Sequence, residues 1–412
     1  MEFVQSRNRQ FRQAANRPRK NAPDYDSIAG KFTRPLYLAF VTETWRPDIN
    51  GVAISCGKIV DGLHGLGAKI QLIQPVLESA DAEPQYDVRT VGGFRLPFYP
   101  DVTAGVSSKQ KLAQIWSAER PDLVVIVTEG LLGRSALQVA KKMNIPSITE
   151  YHTHFQLYGK HYGVGFMEPV IRRYLRRFHN NSRVTLVPTE EIRQELNKQG
   201  YHNVVTLARG VDTELFDPNR RSEQLRRRWG LEPDQLAVIH VGRMAAEKNI
   251  QLAVKTFRRI QQVNPRARFI LVGDGPLRKQ LETENPDFVF CGMQDGEQLA
   301  VHYASADLFL FPSMTETFGN VLLEAMASAL PVVCFDYAAA KRYVHDHYNG
   351  RKVAYGYEPQ FITTAMELAN NQAVCRSIGN YARVSVMNHG WESIYRKFAG
   401  VVEGVVNAED AA

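Results

Sequence analysis

Two carboxylates, Glu316 and Glu324, stand eight positions apart in the stretch PSMTETFGNVLLE, Pro312 to Glu324. Between them lies a small polar turn, Thr317-Phe318-Gly319-Asn320. It follows the apolar run Leu308-Phe309-Leu310-Phe311 and precedes a helical pattern from Val321 to Ser328, which reads as strand, turn and helix start. The free N–H groups of a helix N-terminus suit a phosphate. Glu324 falls about 1.5 turns into the helix at 3.6 residues per turn. Acids on both sides of an anion-binding turn fit a ligand with phosphate in its middle and hydroxyls at both ends, the shape of a nucleotide-sugar.

Turns of the same kind follow other apolar runs. Gly242-Arg243 and Glu247-Lys248-Asn249 offer Arg243 and Lys248. These are either solvated loop cations or a clamp on a diphosphate, taking up the charge that grows on it as it leaves. In Gly273-Asp274-Gly275-Pro276, Gly273 and Gly275 permit close backbone approach, to a ligand or within a purely structural turn. Cys291-Gly292-Met293 offers an edge for a nucleobase. Gly51 and Val52 open a helix after a break at Asn50. Glu150-Tyr151-His152-Thr153-His154 closes an apolar run. His-x-His can hold a metal, but no third ligand is obvious nearby. A lone imidazole orienting a substrate hydroxyl, or a packed strand-end histidine, fits better.

Positioning these turns requires strands alternating with helices, the pattern of a doubly wound parallel sheet. Strands are expected at Leu36–Thr42, Lys69–Gln74, Leu123–Val127, Ser147–Tyr151, Val184–Val187 and Val204–Thr206, with 85–99 as short extended pieces and a loop. Around 207–228 the alternation stops, and Arg209-Gly210-Val211-Asp212 reads as linker. It restarts with strands at Ala237–Val241, Arg268–Val272, Phe288–Phe290, Leu308–Phe311, Val332–Phe335 and Lys352–Ala354. The expected division is a basic, disordered tail (1–34), a first Rossmann-like domain (35–207), a linker (208–228), a second such domain (229–388) and a terminal helix (389–412). Ligands of open α/β sheets bind outside the carboxyl ends of the strands, so the site is expected in a cleft between the lobes.

Composition agrees: 412 residues, 44% hydrophobic and 23% charged, are those of a soluble globular chain of two domains. No run approaches the roughly 18 apolar residues of a membrane span, and no apolar signal core opens the chain. Cys56, Cys291, Cys334 and Cys375 lack metal-ligand or paired spacing, and free thiols in a reducing compartment are expected. The net charge of +7 is concentrated in the tail, in Arg172, Arg173, Arg176 and Arg177, and in Arg220, Arg221, Arg226, Arg227 and Arg228. At helical spacing the second cluster lies opposite Val170, Ile171, Tyr174, Leu175 and Phe178. Such a helix can lie on an anionic membrane surface, or it is a domain helix with a solvated charged face.

On these residues the chain resembles the retaining, nucleotide-sugar-dependent glycosyltransferases of family 4, which have the GT-B architecture. The resemblance covers nearly all of residues 36–405. It rests on Glu316-x7-Glu324 followed by Ala-Met-Ala and Pro-Val-Val, and on His240-Val-Gly-Arg243 with Glu247-Lys248-Asn249. Val272-Gly-Asp-Gly-Pro276, Asn50-Gly51-Val52 and Tyr151-His152-Thr153 complete it. It implies an α/β fold of two Rossmann-like domains facing each other across a cleft, the first on the acceptor side and the second binding the nucleotide-sugar. Glu316 would contact sugar hydroxyls, Glu324 the ribose, and Arg243 and Lys248 the diphosphate. Gly273, Gly275, Thr317, Phe318, Gly319, Asn320 and Val321 would line the donor. Gly51 and Val52 would approach its phosphates from the other domain, and His152 would touch the transferred sugar. The terminal helix would cross back to the first domain. No cofactor and no metal are implied, and Asp24-Tyr25-Asp26 lies in the tail.

Thr42-Glu43-Thr44-Trp45, Asn50-Gly51-Val52 and Tyr151-His152-Thr153 are most similar to mannosyl- and lipid-directed members. The expected reaction moves a hexose from a nucleoside diphosphate sugar, GDP-mannose or a UDP-hexose, to a hydroxyl of a lipid such as diacylglycerol or a glycolipid precursor, with the anomeric configuration kept. The protein is expected in the cytoplasm, peripheral on the inner face of the cytoplasmic membrane. Alternatives are a transferase or sugar-phosphate synthase with a soluble or polysaccharide acceptor, and a non-hydrolysing epimerase, which Glu-x7-Glu disfavours. A basic nucleic-acid-binding protein would show salt-sensitive retention on DNA or RNA; the motifs argue against it, and no nucleic-acid partner is expected.

Overall fold

A computed structural model describes residues 32–48, 50–76, 85–96, 99–106, 108–152 and 168–410. Tail residues 1–31, with Asp24 and Asp26, and also Thr153 and His154, lie outside them. The first lobe contains β1 (Tyr37–Val41), β2 (Lys69–Pro75), β3 (Asp87–Val91), β4 (Gly93–Leu96), β5 (Tyr99–Gly105), β6 (Leu123–Ile126), β7 (Ser147–Glu150), β8 (Val184–Val187) and β9 (Val204–Thr206). Seven of these form a parallel sheet in the order β3-β2-β1-β6-β7-β8-β9, and β4 pairs antiparallel with β5. Every residue of β1, β6, β7 and β8 is buried, which is why their sequences are apolar or small-residue runs, except for Glu150 at the end of β7. β3 is a half-exposed edge strand, DVRTV, and carries little such signal.

The second lobe contains β10 (Ala237–Val241), β11 (Arg268–Val272), β12 (Val289–Gly292), β13 (Leu308–Phe311), β14 (Val332–Phe335) and β15 (Arg351–Val353). They form a parallel sheet in the order β12-β11-β10-β13-β14-β15. Both sheets reverse direction beside their first strand, between β1 and β6 and between β10 and β13. At such a switch point the loops leave in opposite directions and open a crevice.

The segment read as linker is partly second lobe. Helix Glu223–Arg228 is anchored by Arg226, which is fully buried and donates to Ser305 O at 2.8 Å, Gln235 O at 2.6 Å and Asp307 Oδ2 at 2.9 Å. This arginine of the third basic cluster is a structural tie and not surface charge. Helix Gln372–Val386, which the sequence reading left unassigned, packs so closely that a Cβ on Gly379 would meet Ala329 O at 2.1 Å.

Helix Trp391–Asp410 lies against the first lobe. Phe398 is fully buried with its ring edge-on to Phe40 at 6.3 Å, and Glu403 accepts the Thr33 N–H at 2.6 Å. Gly62 makes room for it: a Cβ there would stand 2.2 Å from the Tyr395 ring. Among the described residues, no helix is long and apolar enough to cross a membrane.

Candidate active site

The switch point of the second lobe brings the turn after β10 against the turn after β13. Lys248 closes a short 3-10 turn, Ala246–Lys248, and its Nζ lies 2.6 Å from Glu316 Oε1. The Thr315 hydroxyl donates to Glu247 O at 2.9 Å and ties the two turns together. Arg243, 44% exposed, stands 3.9 Å from the buried Glu247 carboxylate, so its guanidinium borders the open side. Below them His240 is buried. Its Nδ1 donates to Leu310 O at 3.0 Å, and burial lowers its pKa to about 4, which keeps it neutral.

Thr317 and Phe318 run into Gly319, whose φ of +96° precedes helix Asn320–Ala327. Phe318 is buried, and its carbonyl accepts the Ala339 N–H at 3.0 Å. Val321 and Glu324 share one neighbour: the Tyr303 hydroxyl lies 3.3 Å from Val321 O and donates to Glu324 Oε2 at 3.1 Å. Burial raises the Glu324 carboxyl to about 7, against the smaller opposing effect of that hydrogen bond.

Gly273 and Gly275 have a packing reason of their own. A Cβ on Gly273 would meet Gly242 O at 2.1 Å, and one on Gly275 would meet Met244 O at 2.5 Å. The glycines let the turn after β11 nest against the turn carrying Arg243.

From the first lobe, Gly51 begins helix Gly51–Gly65, capped by Asn50, whose Oδ1 accepts from Val52 N at 3.1 Å and Ala53 N at 2.9 Å. The Val52 N–H is therefore already engaged. The lobes touch here: Asn320 Nδ2 donates to Ser55 Oγ at 3.3 Å, and a Cβ on Gly51 would lie 3.9 Å from Asn320 Nδ2.

His152 sits just past β7 with its side chain 7% exposed. Its Nδ1 faces Arg209 Nη2 at 3.1 Å, and its Nε2 stands 2.9 Å from Glu150 Oε2. Arg209 was read as linker. Nothing local marks it, because its partners are 57 and 59 positions away. The Arg172, Arg173, Arg176 and Arg177 side chains are exposed on helix Glu168–His179, apart from the site; Arg172 pairs with Glu168, and Arg176 donates to Gln199 O at 3.1 Å. Leu175 and Phe178 are buried, but Val170, expected beside them, is 66% exposed.

Two family models match the chain, Glycosyltransferase Family 4 over residues 49–215 and Glycosyl transferases group 1 over 235–371. A GDP-mannose-dependent alpha-mannosyltransferase of Mycobacterium tuberculosis is 30% identical over 375 residues, 89% of this chain and 96% of that protein. Alpha-monoglucosyldiacylglycerol synthase of Acholeplasma laidlawii is 26% identical over 390 residues, 88% of this chain and 95% of that protein. Among solved structures, sucrose-phosphate synthase from Thermosynechococcus elongatus superposes with a TM-score of 0.76 at 18% identity, covering 90% of this chain and 100% of that one. Two parallel-sheet lobes of this topology form the GT-B architecture. The chain belongs to glycosyltransferase family 4.

Proposed function

We propose that this protein moves a hexose from a nucleoside diphosphate sugar to a hydroxyl of a membrane lipid or glycolipid, with the anomeric configuration kept and without a metal. One observation carries the reading: at the second lobe's switch point, Lys248, a cation fit for phosphate, is held 2.6 Å from Glu316, a carboxylate fit for sugar hydroxyls. Arriving diphosphate takes over Lys248 and leaves Glu316 to the sugar. Arg243 adds a second cation, and the two meet the charge growing on the leaving diphosphate, a task metal ions perform elsewhere. Backbone at Thr317, Phe318, Gly319, Asn320 and Val321 lines the donor, Glu324 reads the ribose, and Gly51 approaches from the other lobe. In this reading Glu316 is taken up by the sugar hydroxyls and does not serve as a nucleophile. We therefore favour a front-face route in which the C–O bond to the diphosphate breaks as the acceptor oxygen bonds the same face, its proton passing to the leaving phosphate.

GDP-mannose is the donor we favour, on the strength of the mycobacterial relative. The diacylglycerol synthase supports a lipid acceptor. The exposed Arg172, Arg173, Arg176 and Arg177 support peripheral docking on an anionic membrane, the inner face of the cytoplasmic membrane in our reading. The test is to incubate the protein with GDP-mannose or UDP-hexoses, with and without anionic vesicles carrying diacylglycerol, and to measure nucleoside diphosphate release. We expect GDP release that vesicles stimulate, that high salt suppresses and that a chelator leaves unchanged. No release from any donor contradicts the activity, and equal turnover with soluble sugars alone moves the acceptor to the soluble alternative.

A further inference from the structure

Arg209 lies where the chain leaves the first lobe, yet its guanidinium turns back to the end of β7. Nη2 is 3.3 Å from Glu150 Oε2 and 3.1 Å from His152 Nδ1. His152 Nε2 stands 2.9 Å from the same carboxylate oxygen, without the alignment of a full hydrogen bond. The Arg209 and His152 side chains are each 7% exposed and that of Glu150 is 2% exposed.

A guanidinium has five N–H donors and no acceptor. The imidazole nitrogen facing it must accept, so Nδ1 carries no proton and the proton of the neutral ring is on Nε2. This tautomer is assigned from the partners. The Arg209 guanidinium, 3.3 Å from Glu150 Oε2, favours the carboxylate form of Glu150. Arg209 and Glu150 then sum to no net charge beside the ring. Among the described residues, the other titratable neighbours are the Cys56 thiol and the Tyr151 phenol, both pushed up by burial and neutral, with Arg46 and Asp61 paired to each other beyond Cys56.

We propose that Arg209 and Glu150 are positioning residues that fix the His152 ring in one tautomer, Nδ1 bare and the proton on Nε2, beside the transferred hexose. Glycosyl transfer gathers positive charge at the anomeric carbon. An imidazolium there would oppose it, whereas a neutral ring with its proton held toward Glu150 does not. The inference rests on the transfer reading above.

The test has one arm without substrate. Histidine-selective 15N labelling of the full chain, read by long-range 1H–15N NMR at neutral pH, reports the tautomer, with His152→Gln identifying the signals. We expect a protonated Nε2 and a bare Nδ1 in the wild type. In Arg209→Gln, where the carboxylate remains without the guanidinium, Nδ1 gains a proton. In the second arm, Arg209→Gln loses up to about 10²-fold in kcat, with donor KM nearly unchanged, and Arg209→Lys recovers part of the loss. A proton on wild-type Nδ1, or a kcat that Arg209→Gln leaves as it was, overturns the proposal. The wild-type spectrum decides the tautomer even where Arg209→Gln does not fold. The expected tautomer in a protein that turns over no donor sinks the transfer reading alone.

Discussion

Glu324 hangs in the wall of the second lobe with Tyr303 as its polar neighbour, and burial raises its carboxyl to about 7. Ribose hydroxyls donate strongly to a carboxylate and weakly to a neutral acid. As pH rises through 7 the ionised fraction grows, and affinity for a nucleotide-sugar should grow with it. Between pH 6 and pH 8 that fraction increases about tenfold. Titration calorimetry with GDP-mannose should show Kd falling by about that factor, and Glu324→Gln should bind weakly with no such slope. A flat wild-type profile would remove Glu324 as the ribose reader. Glu316 and Lys248 were legible in the sequence because each follows a buried apolar strand, which places it on the cleft edge. Asn50 was legible as a break, but its grip on the Val52 N–H was not. Arg209 was hidden, since its role arises from a strand far away along the chain.

Elements buried on both faces announce themselves, and β1, β10, β13 and β14 stood where unbroken apolar runs put them. The edge strand β3 did not, because one exposed side dilutes the pattern. Helix Gln372–Val386 escaped for a similar reason: Val374, Tyr381 and Val384 are exposed and blur its apolar stripe. Helix Trp391–Asp410 ties the end of the chain to the first lobe through Phe398, Val401, Val402 and Val405. Removing a fully buried phenylalanine typically costs about 3–5 kcal/mol. Phe398→Ala should therefore lower the unfolding free energy read from urea denaturation by an amount in that range. A change below about 1 kcal/mol would mean that the ring's contact with Phe40 contributes little.

At the scale of the molecule, the two lobes face each other and meet at the Asn320–Ser55 hydrogen bond. Alternation of strand and helix made the two lobes readable. What it could not give is which turns meet, because that depends on strand order: β10 beside β13 is what brings Lys248 to Glu316. The most direct test is the rate of hexose transfer under saturating GDP-mannose and lipid acceptor, wild type against Lys248→Ala, with circular dichroism confirming the fold. Loss of a preorganised charge at a leaving group typically costs about 10²–10³-fold, and we expect a fall of that size in kcat. Transfer by Lys248→Ala within about twofold of wild type would contradict the cleft as the site of the reaction.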